Sequence, residues 1–584
     1  MKYPQLNSDN QRASGTAKVT TRDMIQAFRG YNHNLRIGDD EFWNTENVTL
    51  DLYPVLSQRK TRGLLAESYD ADGGIFASEK LCWINGRRLY YDGNIIKGDL
   101  SESLVGVERQ FAAMGAYIVI FPDKIWFNSN DEIINVANLG ASYTSRGNTS
   151  YQLCDIDGAL YNAPASPTAP SNPNNGDYWI DTSSTPNTLK RYSEQSLTWA
   201  DIPTTYIKVS ATGIGREFMV DDVLTFTGSD VISGDLQIYG RGDDYIIVTG
   251  MVSETVIQES ALSIARNVPD LDYITESNNR LWGCSTANHE IYACKLGDPT
   301  NWYTYTGLSS DSYAATIGSA GPFTGAATLG GNVLFFKADC FHKVYGSQPS
   351  NYQVIEVTAR GVQAGSSKSL AVVNEILYYL SRDGVCAYDG SLPVNVSKQF
   401  GQEKYSNGVA GSVNSKYYIS MKDEKNVWHM FVYDTEKGAW VHEDNTRAEC
   451  FTYYDGDLYF VERVGDEHKT RCVKGTVGEQ ERPFEWVAES GDIGLTLADQ
   501  KYVTRIVLRM EISTGGYVEL HTSYDGENYE LKERMYSQSL DSVYAAITPR
   551  RCDHMRIKLV GYGAFKLYSM SKTIEQGSEI NGRI

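Results

Sequence analysis

The sequence lacks paired cysteine motifs and long apolar runs, and it has only eight histidines. No C-x-x-C pair occurs, which disfavours both a zinc ribbon and a disulfide framework. No run of 18 apolar residues occurs, and the opening MKYPQLNSDNQRASG lacks the basic-then-apolar order of a signal peptide. We therefore expect a protein that stays in a cytoplasm until assembly. Its nine cysteines are expected to be reduced and mostly buried: Cys82, Cys154, Cys284, Cys294, Cys340, Cys386, Cys450, Cys472 and Cys552.

Catalytic and metal-binding motifs are also missing. There is no P-loop, no G-x-S-x-G and no H-E-x-x-H. DADGG (70–74) and DIDGA (155–159) begin like calcium loops, but their twelfth positions are Leu81 and Ser166 instead of glutamate. The tripeptide RGD (241–243) is expected to form a tight turn. We identify no catalytic, cofactor-binding or metal-binding residue and expect no enzymatic activity.

The charge balance restricts the partners. With 53 basic and 73 acidic residues the formal net charge is −20. Tight binding of nucleic acid needs a concentrated basic face, so this balance argues against it. An acidic surface still allows DNA to pass without adhering to it.

Short strands separated by turns dominate what is present. Tyrosine is abundant, with 40 residues against 18 phenylalanines, and it suits half-exposed strands and interfaces. Aromatic and β-branched runs alternate with polar turns, as in RRLYYDGNII (87–96) and AECFTYYDGDLYFVER (448–463). The only helix that we predict is TTRDMIQAF, from Thr20 to Phe28.

Repetition of this strand–turn–strand unit is typical of a β-propeller. We predict an all-β fold: a β-propeller with one or two inserted small β domains and a C-terminal β-sandwich. The predicted segments are an N-terminal arm (1–45), the first part of the propeller (46–144), the inserted module or modules (145–265), the second part of the propeller (266–485) and the β-sandwich (486–584).

One stretch, DYITESNNRLWGCSTANHEIYACKLGDPTNW (272–302), resembles a metal site because it contains two cysteines and a histidine. As a β-hairpin, it would place Trp282 and Cys284 on one face of their strand. The partner strand would carry Tyr292, Cys294 and Leu296 together on one face, with His289 in the connecting turn. The thiols would then lie among apolar neighbours, so we predict a structural hairpin.

Several phrases resemble bacteriophage virion proteins of Gram-positive hosts. They are FRGYNHNLRIGDDEFWNTENVTLDLYPVLSQRKTRGLL (28–65), ESNNRLWGC with EIYACKLGDPTNW (276–302), PRRCDHMRIKLVGYG (549–563) and IEQGSEI (574–580). The family that they resemble is the tail nozzle or tail hub of short-tailed phages, similar in role to packaged-DNA stabilisation proteins.

The resemblance implies a structural subunit of the virion tail, made in the bacterial cytoplasm. Its partners would be copies of itself in a ring, with six expected, the portal and adaptor proteins, and tail fibres or a tail needle. Packaged DNA would pass through the lumen without sequence-specific binding, be retained, and be released on ejection. Two alternatives stay open: a receptor-binding tail or fibre protein that recognises host glycans, and a propeller glycosidase with a central carboxylate pair.

Overall fold

The computed structural model describes residues 20–66, 69–107, 109–536 and 538–576. Over these residues the chain contains 53 strands, four short 3-10 turns and no α-helix. The 3-10 turns are Glu102–Leu104, Pro349–Asn351, Ser367–Ser369 and Lys398–Phe400. No helix in the described part of the chain is long and apolar enough to cross a membrane. The protein is therefore all-β, as the strand-rich sequence predicts.

The chain divides into two compact units. Unit 1 combines residues 1–70, 368–389 and 393–584, and unit 2 combines residues 71–367 and 390–392. Six four-stranded antiparallel sheets and one five-stranded antiparallel sheet recur in the described residues, and in the six each strand pairs with the next along the chain. We name these sheets meanders I to VII.

Meanders I to IV belong to unit 2. Their strands are Ile75–Ala77, Leu81–Asn85, Arg88–Tyr91 and Asn94–Lys97 (I); Gln110–Met114, Tyr117–Phe121, Ile125–Asn128 and Ala137–Asn138 (II); Tyr273–Ser277, Arg280–Ser285, Glu290–Ala293 and Tyr313–Thr316 (III); and Gly325–Leu329, Asn332–Phe336, Phe341–Tyr345 and Gln353–Val357 (IV).

Meanders V to VII belong to unit 1. Their strands are Ala371–Val373, Ile376–Ser381, Gly384–Tyr388 and Val394–Asn395 (V); Tyr405–Val413, Lys416–Asp423, Trp428–Asp434 and Ala439–Asp444 (VI); and Ala448–Tyr454, Asp457–Val464, Glu467–Cys472 and Gly63–Leu64 (VII), with Glu479–Gln480 added at the edge of VII.

Two-residue turns build many of these hairpins. Asp92–Gly93, Asn278–Asn279 and Asp455–Gly456 all have positive φ at both positions, the geometry that matches the twist of the flanking strands. Asp-Gly and Asn-Asn adopt this left-handed backbone at low cost. The strand–turn–strand predictions at 87–96 and 448–463 are therefore confirmed.

Neighbouring meanders bury both faces of their central strands. All six residues of Arg280–Ser285 are buried: Leu281 packs in a core shared with meander II, while Trp282 and Cys284 pack in a core shared with meander IV. Two buried faces explain the continuously apolar sequence of such strands, which in a one-sided sheet would alternate with polar residues.

Two further sheets lie within residues 141–266 of unit 2. The eight-stranded sheet runs, in spatial order, Ala141–Thr144, Ser263–Arg266, Val223–Thr227, Gly234–Gly242, Tyr245–Thr249, Tyr206–Ser210, Thr149–Cys154 and Val256–Gln258. The four-stranded sheet consists of Ala165–Ser166, Tyr178–Asp181, Thr188–Ser193 and Thr198–Asp201. Ala141 pairs with Arg266, so this region leaves and rejoins the rest of unit 2 at adjacent strands.

The remaining two sheets of unit 1 share one hydrophobic core and form its two-sheet body. One contains Phe42–Glu46, Glu485–Ser490, Met555–Tyr562, Tyr517–Tyr524 and Glu530–Met535. The other contains Val48–Thr49, Leu56–Gln58, Phe565–Gln576, Lys501–Ile512 and Asp541–Ala545, with Thr20–Ile25 and Arg551–Cys552 at its ends. Burial alternates along Met555–Tyr562, as expected for a strand with one face in a core.

The helix predicted for Thr20 to Phe28 is wrong. Thr20–Ile25 is a strand that pairs along its whole length with Phe565–Gln576. A helix of about nine residues is marginal in water without tertiary packing, so the hydrogen bonds offered by a long partner strand outweigh local propensity. The predicted segment boundaries are not tested by these strands and stay predictions.

Meander VII takes its fourth strand from far upstream. Gly63–Leu64 pairs with Arg471–Cys472 on one side and with Glu479–Gln480 on the other. A Cβ atom at position 63 would lie 1.9 Å from the carbonyl oxygen of Val477, so only glycine fits between these strands.

An ion cluster fixes the segment that leads into this strand. The Arg62 guanidinium lies 2.7 Å from the Glu443 carboxylate and 2.8 Å from that of Asp444. Arg59 contacts the Glu481 carboxylate at 2.9 Å. Burial alone would raise the pKa of Asp444, but the charges of Arg62 and Arg59 outweigh it and lower this pKa to about 2.

We expect Arg62→Ala to lower the free energy of unfolding of unit 1 by about 3 kcal/mol, because Glu443 and Asp444 would lose their nearest positive charge and keep only Arg59, which lies 4.0 and 3.5 Å from them. Urea unfolding followed by fluorescence measures the change. The control is Arg463→Ala, whose side chain is 34% exposed and whose loss should cost at most about 0.5 kcal/mol. Equal effects of the two substitutions would contradict a stabilising role for the cluster.

Candidate functional site

The stretch that most resembled a metal site is a hairpin of meander III. Arg280–Ser285 pairs with Glu290–Ala293, and His289 lies in the turn with φ of 55°. Trp282 and Cys284 share one core, and Tyr292 and Cys294 share another, as predicted for each strand; the two cores lie on opposite faces of the sheet, which was not predicted. Leu296 is an exception: the strand ends at Ala293, and this side chain is 45% exposed.

Both thiols of the hairpin behave as small apolar groups. Burial raises the pKa of Cys284 well above its ordinary value and that of Cys294 to about 12, so neither is a thiolate at neutral pH. Among the described residues, no group of three or more His, Cys, Asp or Glu side chains is arranged to hold a metal ion. Seven of the nine cysteines are buried, and Cys340 and Cys450 are partly exposed.

The other motifs considered in the sequence have local structural explanations. The Asp72 carboxylate accepts a hydrogen bond from the Gly86 amide, and that of Asp155 accepts bonds from Asp157 and Ala159. The Asp155 carboxylate stabilises its own turn, whereas that of Asp72 holds the turn before Arg88–Tyr91. RGD (241–243) lies at the end of the hairpin formed by Gly234–Gly242 and Tyr245–Thr249, which confirms the predicted tight turn.

A chain of hydrogen bonds through two histidines was not predicted. His442 Nδ1 lies 2.9 Å from the Thr45 carbonyl, and its Nε2 lies 3.2 Å from His429 Nδ1. The second nitrogen of His429 lies 3.2 Å from the Asp423 carboxylate. Desolvation lowers the pKa of His442 to about 4, so this ring is neutral at neutral pH. It donates to Thr45 and accepts from His429, which connects the two-sheet body to meander VI.

No signal in the sequence could have found this pair, because Thr45 and His442 are almost 400 positions apart. The same holds for Ser319 and His342, whose Oγ and Nε2 atoms are 2.8 Å apart in unit 2. Lys337 also donates to the Ser319 carbonyl, so this contact connects the loop before meander IV to two of its strands.

The four-stranded sheet at 165–201 presents an aromatic face. Cross-strand partners share a face, which places Trp179, Tyr192 and Trp199 on the same side of the sheet. The ring centroids of Trp179 and Trp199 are 5.5 Å apart, and those of Tyr192 and Trp199 are 5.4 Å apart. The opposite face carries Ile180 and Leu189 into the core of the eight-stranded sheet.

A lysine lies between two carboxylates on this aromatic face. Lys190 Nζ is 3.2 Å from the Asp181 carboxylate and 3.4 Å from that of Asp201. Trp179 is almost buried and donates to the Ser166 carbonyl at 3.1 Å, whereas Tyr192 and Trp199 are only partly buried. Partly exposed rings beside polar groups can stack on a ligand while the polar groups accept or donate hydrogen bonds.

Cavities lined by the described residues include three that each lie within one unit. One of about 670 Å³ lies in unit 2 beside Tyr143, Arg146 and Thr212. Two in unit 1, of about 580 and 190 Å³, are lined by strand and loop residues that include His468 and Lys572, respectively. The linings combine polar and apolar groups and do not point to one class of ligand.

Comparisons with known proteins give no family. No protein-family model matches the sequence, and no curated protein matches it significantly. Solved structures with partial similarity include U3-55K (7% identity, 49% of this chain and 88% of that chain, TM-score 0.23). A second is an exo-β-1,3-galactanase from Phanerochaete chrysosporium (8% identity, 50% of this chain and 92% of that chain, TM-score 0.19). A third is PorZ, a surface component of the type-IX secretion system of Porphyromonas gingivalis (11% identity, 81% of this chain and 70% of that chain, TM-score 0.26). TM-scores this low assign no activity to this chain.

We expect iodoacetamide to label only Cys340 and Cys450 rapidly in the folded protein at pH 8, because these two thiols are partly exposed. The seven buried cysteines should react only after unfolding. Peptide mass spectrometry before and after addition of urea measures both sets, and the unfolded sample serves as the control for reactivity. Rapid labelling of Cys284 or Cys294 in the folded protein would contradict their assignment to the two cores.

Proposed function

We propose that this chain is a structural protein of a phage virion, a tail nozzle subunit that extends the DNA channel below the portal and adaptor. In this role it retains packaged DNA and permits its ejection into the host. We further propose that the meanders serve as blades of a β-propeller, that residues 141–266 form its inserted β modules, and that the two-sheet body is a β-sandwich.

The observation that carries the proposal is the location of the phage-like phrases. Phe42–Glu46, from the N-terminal phrase, pairs with Glu485–Ser490, which pairs in turn with Met555–Tyr562 from the C-terminal phrase. Two phrases separated by almost 500 residues therefore lie in one five-stranded sheet. A resemblance concentrated in segments that fold together supports a shared structural role more strongly than one scattered over surface loops.

The charge of the chain supports the same role. A net charge of −20 disfavours adhesion of phosphate groups, so DNA can slide past such a surface. The proposed partners are copies of this chain in a ring, the portal and adaptor proteins, and tail fibres or a needle. The proposal includes no enzymatic step and no cofactor.

Cryo-electron microscopy of the phage particle that contains this chain tests the proposal. We expect a ring of copies, six in number, between the adaptor and the tail tip. Particles assembled without the chain should keep their portal but lose packaged DNA, while particles restored by the intact gene serve as the control. Density for the chain only at fibre tips, or none in the particle, would refute the nozzle assignment.

A second candidate function is recognition of host-surface glycans, and the aromatic face at 165–201 favours it. Trp199 and Tyr192 offer ring surface for stacking on a sugar, and Lys190, Asp181 and Asp201 offer polar groups beside it. The sheet lies within an inserted region, where a binding surface can change without disturbing the meanders.

We expect Trp199→Ala to weaken binding of the full chain to Gram-positive cell-wall polysaccharide about tenfold, or about 1.4 kcal/mol, if this face binds glycans. Sedimentation with purified cell walls measures it. The matched control is Tyr453→Ala, which removes an aromatic residue that is 57% exposed on meander VII. No binding by the wild-type chain, or equal binding by both variants, would reject the glycan hypothesis.

A further inference from the structure

Five large apolar side chains are exposed on two adjoining loops of unit 2. Met219 and Val220 are 59% and 49% exposed on the loop before Val223–Thr227. Leu296, Tyr305 and Leu308 are 45%, 56% and 63% exposed on the loop between Glu290–Ala293 and Tyr313–Thr316. We call these five residues the apolar patch. Single exposed apolar residues are common, but a group on neighbouring loops marks an interaction site.

Hydrogen bonds through Asp221 connect the two loops. Asn301 Nδ2 and Thr304 Oγ1 both donate to the Asp221 carbonyl, at 2.9 and 3.2 Å. Lys295 Nζ lies 3.0 Å from the Asp221 carboxylate. Val220 and Tyr305 are the chain neighbours of Asp221 and Thr304, so the two parts of the patch flank a common set of hydrogen bonds.

The longer loop is rigidly held beneath the patch. The buried Arg280 guanidinium donates to the carbonyls of Cys294, Ser309 and Asp311. The buried Asp311 carboxylate accepts from the Leu308 amide at 3.1 Å and from the amides before it. These bonds order the loop in the free chain, so little conformational entropy would be lost when a partner binds.

A buried tryptophan anchors the same loop. Trp302 is fully buried in the core between meanders II and III, and its Nε1 donates to the Pro299 carbonyl at 2.9 Å. Tyr305, three residues later, projects from the loop that this ring fixes and is more than half exposed. Trp302 therefore holds the loop, and the side chain of Tyr305 is left available for contact.

The area of the patch matches the apolar part of a stable interface. Five large side chains that are each about half exposed present roughly 500 Å². Each partner in a standard interface buries about 800 Å², of which about 57% is apolar. The patch could therefore supply most of the apolar contact of one such interface.

Charge favours a second copy of this chain as the occupant. Within the two loops Asp221 is paired with Lys295, and the buried Asp222 lies 2.7 Å from Arg266. The two loops also carry Arg216, Glu217, Asp298 and Asp311, and Arg241 and Arg280 bond to them, so five basic side chains balance five acidic ones around the patch although the whole chain carries −20. A strongly basic partner would gain little electrostatic attraction from a neutral surface. Two acidic copies of this chain, in contrast, repel each other least where the surface in contact is neutral.

We propose that the apolar patch is a contact surface between copies of this chain. The contact is heterologous, since a ring joins each patch to a different surface on the next copy. This contact would join neighbouring subunits of the ring proposed above, and it rests on that proposed function.

Sedimentation velocity of the full chain over a concentration series tests the contact. We expect the wild type to self-associate and the double variant Tyr305→Ser/Leu308→Ser to bind itself at least 30-fold more weakly. The matched control is Tyr453→Ser/Val464→Ser, which changes two side chains of similar exposure, 57% and 46%, on meander VII. Control association should equal that of the wild type, and thermal melting should show all three chains folded.

The outcomes separate this proposal from the nozzle assignment. A wild type that stays monomeric at every concentration overturns the contact, and so does a patch variant that associates like the wild type. Neither result contradicts the nozzle assignment, which is tested by the location of the chain in the phage particle. Loss of association in both double variants also overturns the contact, because the effect would not depend on the patch.

Discussion

Unit 1 depends on the ion cluster that Arg59 and Arg62 form with Glu443, Asp444 and Glu481. Taking charges out of water is costly, and close opposite charges offset this cost. Here Arg62 contacts two carboxylates and also donates to Thr446 Oγ1 at 2.9 Å. The cluster holds the segment from residue 59 onward in the one position from which Gly63–Leu64 can complete meander VII.

The same segment joins the two-sheet body to the meanders in a second way. Thr45 lies in a strand of the body, and its backbone and hydroxyl both bond to His442 of meander VI. Val48–Thr49 then enters the other sheet of the body. Within about 20 residues the chain therefore contacts both sheets of the body and two meanders, so disruption of these polar contacts would loosen all of them together.

Local patterns in the sequence were sufficient to predict much of the fold. Alternating burial along Met555–Tyr562 and the Asp-Gly turns at 92–93 and 455–456 follow from side-chain period and backbone preference alone. The helix at 20–28 failed because the strand there is made by a partner more than 500 residues away. The contacts of Arg62 and His442 could not be predicted for the same reason, because the sequence around an arginine or a histidine does not indicate which distant carboxylate or carbonyl it will contact.

The hairpin at 280–293 illustrates how a chemical motif and an architectural one can share residues. Two cysteines ten positions apart could approach a common ligand only if they faced the same way, but the structure directs Cys284 and Cys294 into separate cores. The polar groups of the same region are used instead to order a loop: Arg280 and Asp311 are both buried, and their partners are mainly backbone atoms. Buried charge here serves to fix backbone, which is what a contact surface requires.

The negative charge of this chain opposes association between its copies, and the salt concentration determines how strong that repulsion is. At physiological ionic strength the screening length is about 8 Å, so repulsion between distant charges on two copies is largely removed. Apolar contact is not screened, and it remains at full strength. A neutral apolar patch on a molecule of charge −20 therefore permits association in the salt of a cell. In the proposed nozzle role, the same acidity would keep the channel surface from binding the phosphates of DNA.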